Sequence, residues 1–463
     1  MFGPSNVSGL IRGRSHRPTG DQPAAATHPL ARPALALALA LGTATGVAGV
    51  SAQDATPGSG TPVPDGAGLP ANCTVVAEGL LNPRHLVLGE DGTLYISEAG
   101  IGGTEEGGSD SIGTSEIGTP AADNARVDNS IAGGTPEPDT GDVSFADSTR
   151  GYTGQVSIVT ADGTQSVLSD GFVSYSDGVG PTGLALSGTT LYVAVGGTGV
   201  IGGLGSVEGE NAVFAVDVTT GAQTILADPG AYEVENNPDG TDVNPNLNSL
   251  GLGPDGLLYT VDAGGNVIYT IDPATGALDP TIVFPTLEVL LGDLGATPVA
   301  GDEETTTDRQ LVPTDIAFTV DGDPIVSFLS ETWPAGAPSV VSIVDGEIVS
   351  LAEGLSAVVA IQPGPDAALY ATQLSSDLET FAPGSVVRID VETGEQEVVL
   401  DGLTAPYGSV FDAAGGMYLI TDAVSFGPEP NGQVIYCEGV AEVDATAATG
   451  TTAGSDILGV TRP

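Results

Sequence analysis

Residues 250–278, LGLGPDGLLYTVDAGGNVIYTIDPATGAL, place two short apolar-rich runs, LLYTVD and VIYTID, between GPDG, AGGN and PATG turns. Val, Ile, Leu, Tyr and Thr between Gly, Pro and Asp punctuation predict short β-strands joined by tight turns. The same grammar recurs in LVLGEDGTLYISEAG (86–100), LALSGTTLYVAVGG (184–197), IAFTVDGDPIVSFLS (316–330), VAIQPGPDAALYATQ (359–373) and VFDAAGGMYLITDA (410–423). A second hairpin follows each, as in GQVSIVTADGTQSVL, NAVFAVDVTTGAQTIL, PSVVSIVDGEIVSL and GSVVRIDVETGEQEVVL, with GQVIYC last. A four-strand unit returning about every 40–55 residues predicts propeller blades.

Six units can be counted, and the last stops at Cys437 after three strands. Residues 75–83, VVAEGLLNP, resemble the outer strands of other units, VVLDGLTAP (398–406) and SLAEGLSA (350–357), yet stand alone at the start. An all-β, six-bladed propeller closed by this N-terminal strand joining the last blade follows, leaving no open sheet edge. Cys73 and Cys437 are the only cysteines and lie on these two expected neighbours, so a disulfide across the seam is expected.

The ends and insertions break the pattern. Residues 1–52 carry Arg12, Arg14, Arg17 and Arg32, an apolar run from Ala34 to about Val50, and small residues at Ser51-Ala52. That is the plan of a secretory signal, which places the protein outside the cytoplasm; a paired cysteine count agrees. Residues 53–71 read as a flexible linker, 72–438 as the propeller and 439–463 as a disordered tail. A Gly/Ser/Asp/Glu-rich insertion near 101–150 reads as a disordered loop, and residues 286–294 as a short helix. The insertions at 99–151, 196–210 and 329–339 all fall between a second and a third strand. They share a rim with the entries to the inner strands, so that face of the central channel is the candidate site.

Charge narrows the partners. The 463-residue chain has no lysine, 10 arginines and 60 acids; removal of residues 1–52 would leave 59 acids against six arginines. Such a field opposes nucleic acid and anionic lipid and favours cations or small polar ligands. No later stretch is apolar enough to span a membrane, and a monomer is expected.

Aligned inner-strand entries give two rings, Arg84, Thr182, Asn248, Thr314, Ala357, Tyr407 and then His85, Gly183, Ser249, Asp315, Val358, Gly408. Second strands end at Glu98, Asp262 and Gln373, with Asp422 one place later. Arg84, His85, Asn248, Asn266 and Tyr407 are the ligand candidates. Glu98, Asp262 and Asp315 are candidates for a calcium site, because hard oxygen donors suit that ion; turn capping explains the same residue types. Residues 235–246, ENNPDGTDVNPN, hint at a calcium loop but lack its closing Glu. His85 is the only histidine beyond residue 52, so multi-histidine zinc or copper sites are excluded. Without lysine, Schiff-base chemistry is excluded too. Recognition of wall polymers would rest on few aromatics, Trp333 and Tyr407 foremost.

Asn82-Pro83-Arg84, Glu98-Ala99-Gly100-x-Gly102-Gly103, Thr153-Gly154-Gln155-Val156, Asn237-Pro238-Asp239-Gly240, Asp262-Ala263-Gly264-Gly265-Asn266 and Pro313-Thr314-Asp315 resemble the ScyD/ScyE family of secreted bacterial propellers. Several of these turns are shared with NHL and gluconolactonase-like propellers. The chain departs from the family in having His85 where glycine is common and in its acidic first insertion. The resemblance implies an exported six-bladed propeller and no settled reaction. Two functions are therefore expected as alternatives: a binding or scaffold protein using the channel mouth, or a calcium-dependent lactonase- or esterase-like hydrolase.

Overall fold

A computed structural model describes residues 69–106, 148–285, 287–290, 306–319, 321–329, 338–377, 382–424 and 431–443. The expected signal segment, most of the linker, the core of the first insertion, Trp333 and most of the tail lie outside the described residues.

Why these segments form hairpins is visible in the GPDG-type turns. In blade 3 the Asp255 carboxylate accepts the Leu257 N–H at 3.1 Å and the Tyr259 hydroxyl at 3.0 Å. Blade 5 repeats the device, with Asp366 accepting from Ala368 N at 3.3 Å and Tyr370 Oη at 3.1 Å. In blade 1, Asp91 takes the Thr93 N–H at 3.0 Å. The aspartate thus closes the turn through its side chain and fixes where the next strand starts.

Six four-stranded antiparallel units result, with one extra short strand, Glu105–Glu106, in blade 1. From the axis outwards, blade 1 uses Pro83–Leu88, Leu94–Glu98, Thr149–Val159 and Gln165–Tyr175; blade 2 uses Pro181–Ser187, Thr190–Val195, Ala212–Asp217 and Gln223–Ala227. Blade 3 uses Leu247–Leu252, Leu258–Asp262, Val267–Ile271 and Leu278–Val283; blade 4 uses Pro313–Phe318, Pro324–Phe328, Pro338–Val344 and Glu347–Glu353. Blade 5 uses Val358–Pro363, Leu369–Gln373, Gly384–Ile389 and Gln396–Leu403. Blade 6 is Ser409–Phe411, Met417–Thr421 and Gly432–Cys437, completed by the N-terminal strand Cys73–Leu80. Each inner strand touches the next around the circle, and that of blade 6 touches that of blade 1. The six-bladed, strand-closed architecture expected from the repeat is therefore present.

Apolar clusters fill the wedges between blades. T-shaped aromatic pairs bridge three of them: Phe172–Phe214 for blades 1 and 2, Tyr259–Phe318 for 3 and 4, and Tyr370–Phe411 for 5 and 6. One expectation needs correction. Leu287–Leu290 is a strand paired with Thr306–Arg309, not part of a helix; four residues satisfy their backbone better across a ribbon than in barely one helical turn. Ahead of blade 3, Pro229–Asn236 is an α-helix.

Cys73 and Cys437 face each other in register and are disulfide-bonded across 364 residues of chain. Removing this link in a Cys73→Ser/Cys437→Ser chain should lower stability by about 2–5 kcal/mol, because a long loop is freed in the unfolded state. Thermal melts of the two chains, each with and without reductant, check this. Equal melting temperatures throughout would mean that strand pairing alone holds the seam.

Candidate functional site

The polar face of each inner strand meets its neighbour near the axis. In five blades a bulge occurs at the strand entry, between Pro83 and Leu86, Pro181 and Leu184, Leu247 and Ser249, Pro313 and Asp315, and Val358 and Ala360. The extra residues re-aim side chains at the channel. Equivalent backbone bonds mark the level in each blade, from Ala99 N to Asn82 O, Gly196 N to Gly180 O, Ala263 N to Asn246 O, Leu329 N to Val312 O, Leu374 N to Ala357 O and Ala423 N to Ala405 O. By that register the first ring is Arg84, Thr182, Asn248, Thr314, Val359 and Tyr407, and the second His85, Gly183, Ser249, Asp315, Ala360 and Gly408. Blade 5 thus differs from the sequence alignment by two residues. Its entry, Ala357-Val358, has neither the proline nor the polar residue that marks the others.

Most of these polar groups stitch one blade to the next. Ser97 Oγ donates to Thr182 O (blades 1 and 2), and Thr182 Oγ1 to Leu247 O at 3.3 Å (2 and 3). Asn248 Nδ2 donates to Thr314 O at 2.7 Å (3 and 4), and Thr314 Oγ1 to Val358 O at 2.7 Å (4 and 5). Gly408 N donates to Arg84 O at 2.9 Å, joining blades 6 and 1. Two glycines permit this closeness, since a Cβ at Gly183 would stand 2.1 Å from Leu250 N and one at Gly408 2.6 Å from Arg84 O.

Across the axis, Tyr407 Oη of blade 6 donates to Asn248 Oδ1 of the opposite blade 3 at 3.0 Å. Above the Tyr407 ring sits the Arg84 guanidinium, 5.1 Å from its centroid, bonded through Nη1 to Ala423 O at 2.6 Å and through Nη2 to Gly178 O. The His85 ring meets Tyr407 edge-on at 5.7 Å. Asp315 accepts from Ser249 Oγ, from Ile316 N at 2.8 Å and from Ile361 N at 2.8 Å. Ser249 therefore directs its proton to a carboxylate, not to an imidazole, and is no activated nucleophile. Around the mouth Ala263, Val312, Leu329, Ala357, Leu374 and Ala423 pack with Tyr407 in one apolar cluster.

Two atoms in and beside this group lack partners: His85 Nε2 and, in the connection from blade 1 to blade 2, Asp177 Oδ1 are buried without a hydrogen bond. Asp177 acts on Arg84 electrostatically, its other oxygen faces Thr198 Oγ1 at 3.5 Å, and the Ser148 side chain and Val179 backbone also favour its charged form. Burial pushes the Asp177 and Asp315 carboxyls up. Burial likewise lowers the His85 imidazole, opposed in part by Asp315 and helped by Arg84.

The other sequence candidates lie elsewhere. Glu98 is buried in blade 1, where it accepts from Leu81 N at 2.6 Å, Gln155 Nε2 at 2.9 Å and Ser157 Oγ. Gln373 plays the same locking part in blade 5, donating to Ser356 O at 3.0 Å. Asp262 and Asn266 sit on the rim of blade 3, where Asn266 donates to Asp239 Oδ2 at 3.0 Å and receives Val312 N at 3.2 Å. Glu98, Asp262 and Asp315 thus occupy three different blades. Among the described residues no three His, Cys, Asp or Glu side chains are grouped to hold a metal ion. Tyr407 is 1% exposed, which removes it as a surface platform for polymers. Sequence reasoning missed Asp177, which no motif marks, and Glu233, considered below.

Tyr407→Phe should leave the Asn248 oxygen unpaired and cost about 1–2 kcal/mol, read by denaturant unfolding. His85 sets a pH dependence. The unfolded chain takes a proton near the ordinary value of about 6.5, while the folded site resists it. The stability is therefore complete above that pH and is lost as pH falls below it. His85→Gln should flatten this slope of melting temperature between about pH 5 and 7; an unchanged slope would assign it to other groups.

No protein-family model matches the chain, and no curated protein matches it in sequence. Solved structures of similar chain path include the quinone-bound (PQQ) aldose sugar dehydrogenase of Streptomyces coelicolor, at 14% identity and TM-score 0.45 over 80% of this chain and 100% of that one. A glucose dehydrogenase of Thermus thermophilus aligns at 15% identity and TM-score 0.43, over 80% and 99% of the two chains. A gluconolactonase of Xanthomonas campestris aligns at 13% identity and TM-score 0.38, over 61% and 78%.

Proposed function

We propose that the protein is an exported binding propeller of the ScyD/ScyE kind that takes a small hydroxylated ligand at the channel mouth. One observation carries the reading. An apolar cluster packs around Tyr407, and beside that ring His85 Nε2 has no hydrogen-bond partner, nor has Asp177 Oδ1 in the connection from blade 1 to blade 2. Native proteins rarely leave such atoms unpaired, and apolar walls with a few convergent polar groups are the usual make-up of small-ligand sites. A neutral polyol or sugar supplies both a donor for the carboxylate and a partner for the imidazole. His85 and Asn248 are only half-buried, so they are the axial side chains a ligand reaches first. Among the described residues no helix is long and apolar enough to cross a membrane.

The hydrolase alternative needs carboxylates that meet on one cation. Glu98, Asp262 and Asp315 sit in separate blades, and Glu98 and Asp315 are held at both ends by their own surroundings, which favours binding over this chemistry.

Thermal-shift measurements with monosaccharides, polyols and aldonolactones at millimolar concentration test the reading. At least one compound should raise the melting temperature of the wild-type chain, with the rise lost in His85→Ala and Asn248→Ala. If none does, or if both variants respond as the wild type, axial binding of this ligand class is wrong. Calcium-dependent opening of a bound lactone, followed by acid release, would move the assignment to the hydrolase.

A further inference from the structure

Away from the axis, the connection from blade 2 to blade 3 buries charge without partners. It begins with Asp228-Pro229, a capping aspartate followed by a proline in the first turn, the sequence signal that starts the helix Pro229–Asn236. Asp228 Oδ1 accepts the Ala231 N–H at 2.8 Å. One turn later the helix delivers Glu233 to the side of blade 3, where it is 0% exposed. Its Oε2 accepts from Tyr269 Oη at 3.2 Å, and its Oε1 has no partner.

Facing it is Asp262, also 0% exposed, at the end of the second strand of blade 3. Its Oδ1 accepts from Asn246 N at 2.8 Å and Gly265 N at 2.9 Å, and its Oδ2 has no partner. Both carboxyls converge over Gly265, where a Cβ would stand 3.1 Å from Asp262 Oδ2 and 3.2 Å from Glu233 Cδ. Asp239 adds a third negative charge, with its oxygens taken by Thr241 and Asn266.

Two buried carboxyls with free oxygens require either protons or a cation. Burial first, then repulsion from Asp262 and Asp239, pushes Glu233 up to about 7. Burial likewise pushes Asp262 up to about 6, against its backbone hydrogen bonds. The groups described against the pair are neutral, namely Tyr269, Asn246 and Gly265, or acidic, namely Asp239, so none of them balances two carboxylates. Carboxylate oxygens with neutral oxygens beside them are the donors hard cations take, and calcium tolerates their irregular placement.

We propose that Glu233 and Asp262 bind a calcium-class cation in the gap that Gly265 leaves open, fastening the helix between blades 2 and 3 to the rim of blade 3. The site is separate from the axial group and stands whether or not a sugar binds there. It holds two carboxylates, so neutral oxygens and water complete the shell.

The test uses the full chain, stripped with chelator and titrated with calcium by calorimetry. Terbium luminescence excited through tyrosine locates the ion, because Tyr269 touches Glu233 and its ring lies 5.7 Å from that of Tyr232. One saturable site is expected. Glu233→Gln and Asp262→Asn should each weaken it at least tenfold and remove the luminescence. Gly265→Ala should also weaken it, because the methyl fills the gap while both ligands remain. Glu347→Gln, at an exposed acid of the outer strand of blade 4, should leave it unchanged. Melts in chelator establish that each variant is folded. Wild-type affinity in Glu233→Gln overturns the proposal. So does a wild-type chain with no saturable site whose melting temperature at pH 8 rises on Glu233→Gln, since the carboxyls then share a proton instead of an ion.

Discussion

Closure of the ring by backbone pairing between Cys73–Leu80 and Gly432–Cys437 is the constraint on which everything else depends. Each blade buries its apolar faces only against two neighbours, so one open seam would expose both walls of a wedge and two unpaired strand edges. The disulfide adds a covalent tie at the point where the two ends of the fold meet. It acts mostly on the unfolded chain, whereas the pairing itself shapes the folded one.

Closure also forces polar groups inwards. Six inner strands brought around one axis leave room for small residues and for side chains that bond the neighbouring strand, as Thr182, Asn248 and Thr314 do. The junction of blades 5 and 6 has Val359 and Ala360 at these levels and packs through apolar contact instead. Some buried hydroxyls of the blades, such as those of Thr372 and Thr421, lack partners too, but the ionisable groups so left are His85 by the axis, Asp177 between blades 1 and 2, and Glu233 and Asp262 on the rim, with the Tyr175 hydroxyl beside them in blade 1. Buried polar atoms without partners are costly, and in each place the cost is local. The fold holds it in place through surrounding bonds: Ser97 Oγ fixes the His85 backbone at 2.9 Å, and Gly265 and Asn246 fix Asp262.

The same residue types therefore serve opposite ends. Glu98 and Asp262 both end second strands and both brace the entry of their own inner strand, through Leu81 N and Asn246 N. Glu98 then satisfies its second oxygen within blade 1, while Asp262 leaves one unpaired beside another acid. The difference comes from what lies above each strand end, namely the helix Pro229–Asn236 in the case of blade 3.

The strands of the blades, the blade number, the closing strand and the cysteine pair were determined by the sequence alone, because each rests on local chemistry: period-two patterning, Asp-Gly turns with a tyrosine four residues on, and a repeat that fixes neighbours. Most axial positions were legible for the same reason, since Asn82-Pro83, Pro181 and Pro313 mark their strand entries. Blade 5 has no such marker, and its register was settled only by the hydrogen bond from Leu374 N to Ala357 O. Tertiary structure alone decided which acids are braces and which are left unpaired. Glu233 and Asp262 are 29 residues apart in the chain, with no spacing rule joining them. Their meeting depends on how one turn of helix settles against a neighbouring blade, and that is fixed by packing between distant segments, not by any local pattern.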